Sequence, residues 1–328
     1  MKRLLTFAAL AALVPLAALA AGCGAQNLIL GSGGESLLTV RDAVAPPGAE
    51  VPLVARFQQG DLLRGRPGHV IRFRRGDETV LAAETDADGV ARVTFAPPAP
   101  GDYVFTVEVA AAGLPDEPPP PRDLLVACRA PDTPLAVVDL DKTVVASGFQ
   151  TVLLGNPEPM EGSVDVLKRL ADDHTIIYLT HRPDYFGPKS KDWLKAQGFP
   201  RGPVLLSSVE SFLKGSGTYK SDMIKTLKAR FSRVELGIGD KFSDVQAYHD
   251  NGMKAILILP VPENATSKDL RALADEVAAL PAAIHVVRTW DQVQAILFDG
   301  KAFPPPPMAQ QLRALADEKA KQEAAKAK

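Results

Sequence analysis

The alternation of apolar and polar residues changes once along the chain and divides it into two regions. Over residues 37–130, short alternating runs are separated by turns rich in Gly and Pro, such as DADG and PPAPGD. This alternation is typical of antiparallel sheets with one solvated face. The runs that fit are SLLTVRD, EVPLVARFQ, HVIRFRRG, TVLAAETD, VARVTFAP, DYVFTVEVA and DLLVACRA. Short strands at this spacing predict an all-β sandwich.

Over residues 131–300, continuous apolar runs alternate with amphipathic segments of helical spacing. Runs of this kind suit strands that are buried on both faces, and their alternation with helices predicts an α/β fold with a Rossmann-like parallel sheet. The strand runs are LAVVDL, HTIIYLT, PVLLS, VELGIGD, KAILILP and IHVVRTW. The helical segments are SVDVLKRLADD, SKDWLKAQG, YKSDMIKTLKARF, FSDVQAYHDNG, SKDLRALADEVAAL and DQVQAILFD.

The C-terminal segment, residues 301–328, is predicted to lie outside the α/β region. The run FPPPP ends the preceding pattern, and the remainder is rich in Ala, Lys, Glu and Gln. We find little of an apolar face in it, which predicts a Pro-rich stop followed by a solvated, charged helix or a disordered tail.

Residues 1–22 have the composition of a secretory signal peptide, with a short basic start followed by an Ala- and Leu-rich stretch. The sequence AAGC that ends at Cys23 resembles the bacterial lipobox. The resemblance implies that Cys23 carries lipid, that residues 23–36 are a tether, and that the protein is anchored by lipid to the bacterial cell envelope, facing the periplasm or the exterior. Gly24 in place of Asp favours the outer membrane. An uncleaved anchor and a plain secreted protein are the alternatives.

Composition and charge argue against nucleic-acid binding, a disulfide framework and a zinc cluster. The formal net charge of the 328-residue chain is −2 and only 6% of its residues are aromatic, with no basic arm, which argues against nucleic acid as a partner. If Cys23 carries lipid, Cys128 has no partner within the chain, so no disulfide framework is expected. The five His are scattered, which argues against a zinc cluster of Cys and His.

Polar residues follow several predicted strands at the edge where parallel sheets bind their ligands. Carboxylates brought together there repel one another unless a cation joins them, and oxygen ligands without His or Cys suit Mg²⁺, which in turn favours phosphate. One carboxylate can attack phosphorus and a second can transfer protons, while Lys and Thr bind phosphoryl oxygens. The candidates are Asp139, Asp141, Thr180, Lys220, Asp240 and Asp244, and Ser207–Ser208 are expected to serve as a turn or cap.

These residues and their order resemble the haloacid dehalogenase (HAD) superfamily of phosphatases. DLDKT at residues 139–143 fits the first motif, DxDx[TV], and GDKFSD fits the fourth, GDxxxD. The resemblance implies an aspartyl-phosphate mechanism without a large cap domain, since the spacings between the motifs leave no room for one. Thr180 and Lys220 fit the second and third motifs, although Lys214 and Lys225 compete with Lys220 for the third.

The resemblance implies a role for each matched residue. Asp139 would be the nucleophile and Asp141 the general acid and base, while Thr180 and Lys220 would hold the phosphoryl group. The metal ligands would be Asp139, Asp141 through its carbonyl, Asp240 and Asp244.

The blocks YLTHRP, GPVLLS, YKSDMIKTL and GDKFSDVQAY further resemble the lipin/LNS2 branch of this superfamily. Lipins dephosphorylate phosphatidate, whereas related LNS2 domains bind it without catalysis. Thr143, His181 and Arg182 are then expected at the substrate, although His181 replaces the usual Ala. Asp240 replaces an Asn and adds a possible metal ligand.

The run TDADGVARVTFAPPAPGDYVFTVEVA resembles the closing strands of bacterial immunoglobulin-like (Ig-like) domains. Together, these features favour a Mg²⁺-dependent phosphomonoesterase at the cell envelope that acts on a phosphorylated small molecule or a phospholipid such as phosphatidate. The alternatives are a non-catalytic lipid-phosphate binding module and an envelope interaction protein.

Overall fold

The computed structural model describes residues 36–60, 63–110, 118–146, 157–208, 212 and 215–326. The predicted signal peptide and the lipidation site Cys23 lie outside these residues, as does the predicted tether up to residue 35.

The N-terminal β region consists of two sheets that share one hydrophobic core. Its strands are β1 (Ser36–Arg41), β2 (Ala43–Ala45), β3 (Val51–Gln59), β4 (Arg64–Gly65), β5 (Val70–Arg75), β6 (Glu78–Glu84), β7 (Val90–Phe95), β8 (Gly101–Val109) and β9 (Arg122–Cys128). In the first sheet β3 pairs with β1, β4 and β7, and the second has the order β2-β9-β8-β5-β6. All pairs are antiparallel except β2 with β9.

Alternate residues of both sheets point into this core, among them Leu53, Phe57, Phe73, Phe105 and Leu124. The seven predicted strands are therefore confirmed. The sequence missed β2 and β4, because runs of three and two residues are too short to show an alternation.

The second region contains a parallel sheet with helices on both faces, as predicted. Its strands are β10 (Leu135–Val138), β11 (Thr175–Pro183), β12 (Val204–Ser207), β13 (Val234–Gly239), β14 (Lys254–Ile258) and β15 (His285–Val287). They lie in the order β12-β11-β10-β13-β14-β15. The connections reverse direction at β10, between its neighbours β11 and β13. Open parallel sheets bind ligands at such a switch point, beyond the carboxyl ends of the strands.

The helices are α1 (Ser163–Leu170), α2 (Gly187–Ala196), α3 (Ser216–Lys228), α4 (Phe242–Asp250), α5 (Ser267–Ala278), α6 (Trp290–Phe298) and α7 (Pro305–Lys326). Leu135 and Val137 of β10 pack into one core with α3, α4 and α5, whereas Ala136 and Val138 pack into a second core with α1 and α6. The sheet is therefore covered on both sides. Within the described residues, no helix has the length and apolarity needed to cross a bilayer.

Helix α7 differs from the prediction of a solvated tail. It begins inside the Pro run, because prolines are tolerated in the first turn of a helix, where backbone N–H groups have no partner within the helix. Met308, Leu312 and Ala316 form a stripe at spacing four and are buried against the same core as α5. The prediction of a solvated tail is therefore wrong, because this stripe, together with Pro305 and Ala309, packs an otherwise charged helix against the domain.

Candidate active site

Strands β10 and β13 bring two buried carboxylates to the carboxyl edge of the sheet. The Asp139 N–H donates to the Ile238 carbonyl at 2.9 Å, which extends the pairing of the two strands by one residue. Asp240 directly follows Gly239, the last residue of β13. Both side chains lie in the protein interior, with residue exposures of 2% for Asp139 and 6% for Asp240.

A tight turn over residues 140–145 directly follows the first acid of the DLDKT motif and contains the second. The Leu140 carbonyl accepts the N–H groups of Val144 and Val145, both at 3.0 Å, and Lys142 adopts a left-handed conformation with φ of 53°. The Leu140 side chain is fully buried in the core beneath the turn. The two carboxylates have different ion-pair partners: Asp139 pairs with a lysine and Asp141 with an arginine.

Lys220 lies at the centre of the acidic residues. Its side chain extends from α3, is fully buried, and places Nζ 3.0 Å from Oδ1 of Asp139 and 2.5 Å from Oδ2 of Asp244. Ser216, one helical turn earlier, donates to Oδ1 of Asp244 at 3.0 Å. The structure thus places Lys220, rather than the exposed Lys225, at the predicted position. Lys214 lies outside the described residues.

The pKa values follow from burial and from the balance of charge. Burial alone lowers the pKa of Lys220, but the charges of Asp139, Tyr248 and Asp244 raise it well above its ordinary value. Burial raises the pKa of Asp139, an effect that Lys220 opposes and that Asp244 and Asp141 reinforce. Burial, and then the charge of Asp139, raise the pKa of Asp240 to about 7. These shifts describe a buried site with more acid than base.

Three of the carboxylates are placed to hold a cation. One oxygen from each of Asp139, Asp240 and Asp244 lies within 4.8 Å of the other two. The buried Oδ1 of Asp240 has no hydrogen-bond partner among the described residues. An all-oxygen set with an unsatisfied ligand atom fits a hard divalent cation. The Asp141 carboxylate does not belong to this group.

Asp141 is held by Arg182 through two parallel hydrogen bonds. Nε of Arg182 donates to Oδ2 at 2.9 Å and Nη2 donates to Oδ1 at 2.6 Å. The guanidinium, with only 3% of its side chain exposed, also donates from Nη1 to Oγ of Ser190 at 2.9 Å. Arg182, which the sequence predicts at the substrate, therefore contacts Asp141 and Ser190.

Thr180 and Ser207 fix the backbone around Arg182. The strand β11 continues past Thr180 to Pro183, and Oγ1 of Thr180 accepts the Arg182 N–H at 3.3 Å. Ser207 at the end of β12 donates from Oγ to the carbonyls of His181 and Arg182. Ser207 thus joins the ends of two neighbouring strands, rather than forming the turn or cap expected from the sequence.

His181 and Thr143 are the other two residues that the sequence predicts at the substrate. The His181 ring stacks on Phe212 with a centroid distance of 4.8 Å and lies 5.9 Å from the Tyr219 ring. Phe212 is 43% exposed, so this stack reaches the surface. Thr143 is fully buried, and its Oγ1 has no hydrogen-bond partner among the residues described. A substrate contact by Thr143 remains a prediction.

Sequence reasoning missed two serines that support the charged groups. Ser216 precedes Lys220 by four positions, and this spacing places both on one face of a helix. The four-residue spacing could therefore have identified Ser216 from the sequence. Ser190 contacts Arg182 only because α2 folds back against the end of β11, and no local pattern indicates that contact.

Comparisons with known proteins give one family match, which lies within the α/β region. Residues 136–261, which include the site residues from Asp139 to Asp244, match the family model for the LNS2 domain of PITM 1–3. This part of the chain is therefore similar to LNS2 domains, the branch that the sequence blocks resemble. The match does not extend to the β region or to the N-terminal segment.

One curated relative is the protein retinal degeneration B of Drosophila melanogaster, which is 25% identical over 264 residues. The alignment covers 75% of this chain and 20% of the relative, so the chain spans about a fifth of that protein's length. A solved structure, class C acid phosphatase from Bacillus anthracis with tungstate bound, aligns with a TM-score of 0.31 at 18% identity. That alignment covers 56% of this chain and 78% of the phosphatase.

Proposed function

We propose that the LNS2-like α/β region is a Mg²⁺-dependent phosphomonoesterase that forms an aspartyl-phosphate on Asp139. The observation that carries this proposal is the buried group formed by Asp139, Asp240, Asp244 and Lys220. When all three carboxylates are ionised, the one lysine balances a single charge and two negative charges remain in a buried site. A divalent cation balances them, and the same cation and lysine attract a phosphate.

The reaction follows from the positions of four side chains. The Asp139 carboxylate attacks phosphorus and the bond to the leaving oxygen breaks, while Asp141 donates a proton to that oxygen. Water then attacks the phosphorus of the aspartyl-phosphate, Asp141 takes its proton, and orthophosphate leaves. Lys220 and the hydroxyl of Thr180 bind phosphoryl oxygens through both steps. Bound Mg²⁺ would be held by Asp139, Asp240 and Asp244 and would neutralise charge on the phosphoryl group.

The pairing with Arg182 is compatible with proton transfer by Asp141. Each carboxylate oxygen has two acceptor positions, and the guanidinium uses one on each oxygen. The remaining positions can face the leaving group, since 17% of the Asp141 side chain is exposed. The same pairing also suits the second candidate function, a module that binds a lipid phosphate and leaves it intact.

Phosphatidate or another phospholipid phosphomonoester is the substrate class we propose. The match to the LNS2 family supports it. The exposed Phe212 ring, stacked on His181 beside the site, offers an apolar surface to a substrate larger than its phosphate. A soluble phosphorylated small molecule is the alternative.

The test is orthophosphate release by the full chain from p-nitrophenyl phosphate and from vesicles that contain phosphatidate, with Mg²⁺ and with a chelator. Metal-dependent release from both substrates is expected. If the chain binds phosphatidate vesicles but releases no orthophosphate from either substrate, it is a binding module and not an enzyme. Release from p-nitrophenyl phosphate alone would retain the enzyme and exclude the lipid substrate.

Mg²⁺ is expected to stabilise the fold through Asp240, more strongly at about pH 8 than at about pH 6. The folded pKa of Asp240, about 7, lies above that of an unfolded Asp, so its stabilising contribution is complete at low pH. This contribution is lost as the pH rises through about 7, where the cation can take the place of the proton. At a hundredfold excess over Kd, Mg²⁺ should add about 2.7 kcal/mol to the free energy of unfolding.

Asp240→Asn should remove most of this gain, which chemical denaturation with and without Mg²⁺ measures. The matched control is Asp250→Asn, an exposed acid on the neighbouring helix α4, which should keep the full gain. If Mg²⁺ stabilises both variants equally, Asp240 is not a ligand of the metal.

We also propose that the β region is an Ig-like sandwich and that Cys23 carries the lipid that anchors the protein at the cell envelope. Tyr103, near the start of β8, donates from its hydroxyl to the Ala99 carbonyl at 2.9 Å, which supports the first proposal because Ig-like domains have a similar tyrosine corner. The second proposal rests on the sequence. If the Cys23→Ala variant is still labelled with palmitate, the proposal that Cys23 carries the lipid is wrong.

A further inference from the structure

Arg182 links the Asp141 carboxylate to residues 182–190, which run from the end of β11 into the first turn of α2. It pairs with both oxygens of Asp141, and its Nη1 donates to Ser190. Because the guanidinium is planar and makes these contacts in fixed directions, the orientation of Asp141 depends on where Arg182 and Ser190 lie. Whatever fixes residues 182–190 therefore also fixes the Asp141 carboxylate.

The β region contacts this segment at two places, one near Arg182 and one near Ser190. Arg41, the last residue of β1, donates from Nη2 to Oδ2 of Asp184 at 2.8 Å, two positions after Arg182. Asp42, the next residue along, accepts at Oδ1 from Nζ of Lys191 at 2.7 Å, one position after Ser190. We call these the two inter-region ion pairs. Two consecutive residues of the β region thus bind both ends of the segment.

Asp42 is itself held firmly. Its side chain is 1% exposed and also accepts the N–H of Leu125 in β9 and the N–H of Val204 in β12. Asp184 is 4% exposed on the other side of the contact. Breaking either pair would leave a buried carboxylate without its cation, which is costly even though 44% of the Arg41 side chain is exposed. The β region therefore holds residues 182–191 as a rigid support.

We infer that Arg41 and Asp42 are positioning residues for Asp141, acting through Arg182 and Ser190. This inference rests on the proposed function for its catalytic consequence but not for its structural one. It gives the β region a part in the chemistry of the α/β domain. Loss of an inter-region pair should let the Arg182 guanidinium move, which would misplace the proton-transfer carboxylate while leaving the phosphate-binding groups in place.

The structural consequence can be measured by NMR on the full chain labelled with ¹⁵N-arginine. The Arg182 Nε–Hε signal, identified by its absence in Arg182→Lys, should exchange slowly with water in the wild type, because Asp141 accepts that hydrogen. Arg41→Ala and Lys191→Met should each raise the exchange rate at least about fivefold. Arg41→Lys should restore most of the protection, since it keeps the cation.

Arg92→Ala is the matched control. It removes an Arg–Asp pair of the same β region, with Asp86, that lies on the surface away from the α/β domain. Arg92→Ala should leave the Arg182 signal unchanged. Chemical denaturation of each variant should confirm that the chain stays folded at the conditions of the NMR experiment.

The catalytic consequence is a separate readout. With Mg²⁺ and p-nitrophenyl phosphate, Arg41→Ala should lower kcat about 5- to 10-fold and leave KM within about twofold, since a small misplacement of a catalytic group lowers the rate rather than binding. If the Arg182 signal is as protected in folded Arg41→Ala and Lys191→Met as in the wild type, the inference is wrong. Faster exchange in a chain that hydrolyses neither test substrate would support the positioning role and refute the phosphatase.

Discussion

Asp139→Asn is expected to abolish hydrolysis, with kcat lowered by about 10⁴-fold or more, the scale seen when a catalytic nucleophile is removed. The amide keeps the volume of the carboxyl group but does not attack phosphorus. The measurement is orthophosphate release from p-nitrophenyl phosphate at saturating substrate and Mg²⁺. A rate within tenfold of the wild type would exclude Asp139 as the nucleophile.

Folding should survive this substitution, which separates lost chemistry from lost structure. Burial and neighbouring acids raise the pKa of Asp139, so the ionised side chain is costly to bury. Replacing it by Asn leaves Lys220 paired with Asp244. Without Mg²⁺, the free energy of unfolding should be equal to or greater than that of the wild type. Asp165→Asn, at an exposed acid in the first turn of α1, is the matched control for activity and should be indistinguishable from the wild type.

Much of this site could be predicted because its main residues lie at strand ends or on a helix that packs beside them. Asp139 follows β10 and Asp240 follows β13, and these strands are neighbours in the sheet. Any parallel sheet in this order places the two acids side by side. The sequence favours Lys220 for the third motif but leaves Lys225 as a competitor, since both lie on α3 and periodicity alone does not say which face is buried.

The contacts that sequence reasoning missed depend on conformations or distances that no local pattern encodes. Asp141 pairs with Arg182 from a turn in which the next residue, Lys142, has a positive φ for which lysine has no special preference. The contact between Arg41 and Asp184 joins residues 143 positions apart. Such pairs follow from how the β region docks on the α/β domain, and docking is decided by surface shape rather than by periodicity.

Lys220→Met should cause the largest loss of stability among single substitutions at the site, about 3–5 kcal/mol in the free energy of unfolding. Methionine fills nearly the same volume, so the packing of α3 is retained. The effect comes from Asp139 and Asp244, which would stay buried without the cation that both contact. Denaturant unfolding without Mg²⁺ gives this value directly.

Two further variants show whether charge is the cause. Lys225→Met on the exposed face of the same helix should change stability by no more than about 0.5 kcal/mol. Adding Asp244→Asn to Lys220→Met should recover part of the loss, because it removes one of the two uncompensated carboxylates. Mg²⁺ should also restore part of it, since a divalent cation between Asp139 and Asp244 supplies the missing positive charge. If Lys220→Met were as stable as Lys225→Met, the three carboxylates would not depend on the lysine, and the charge argument for a divalent cation would lose its basis.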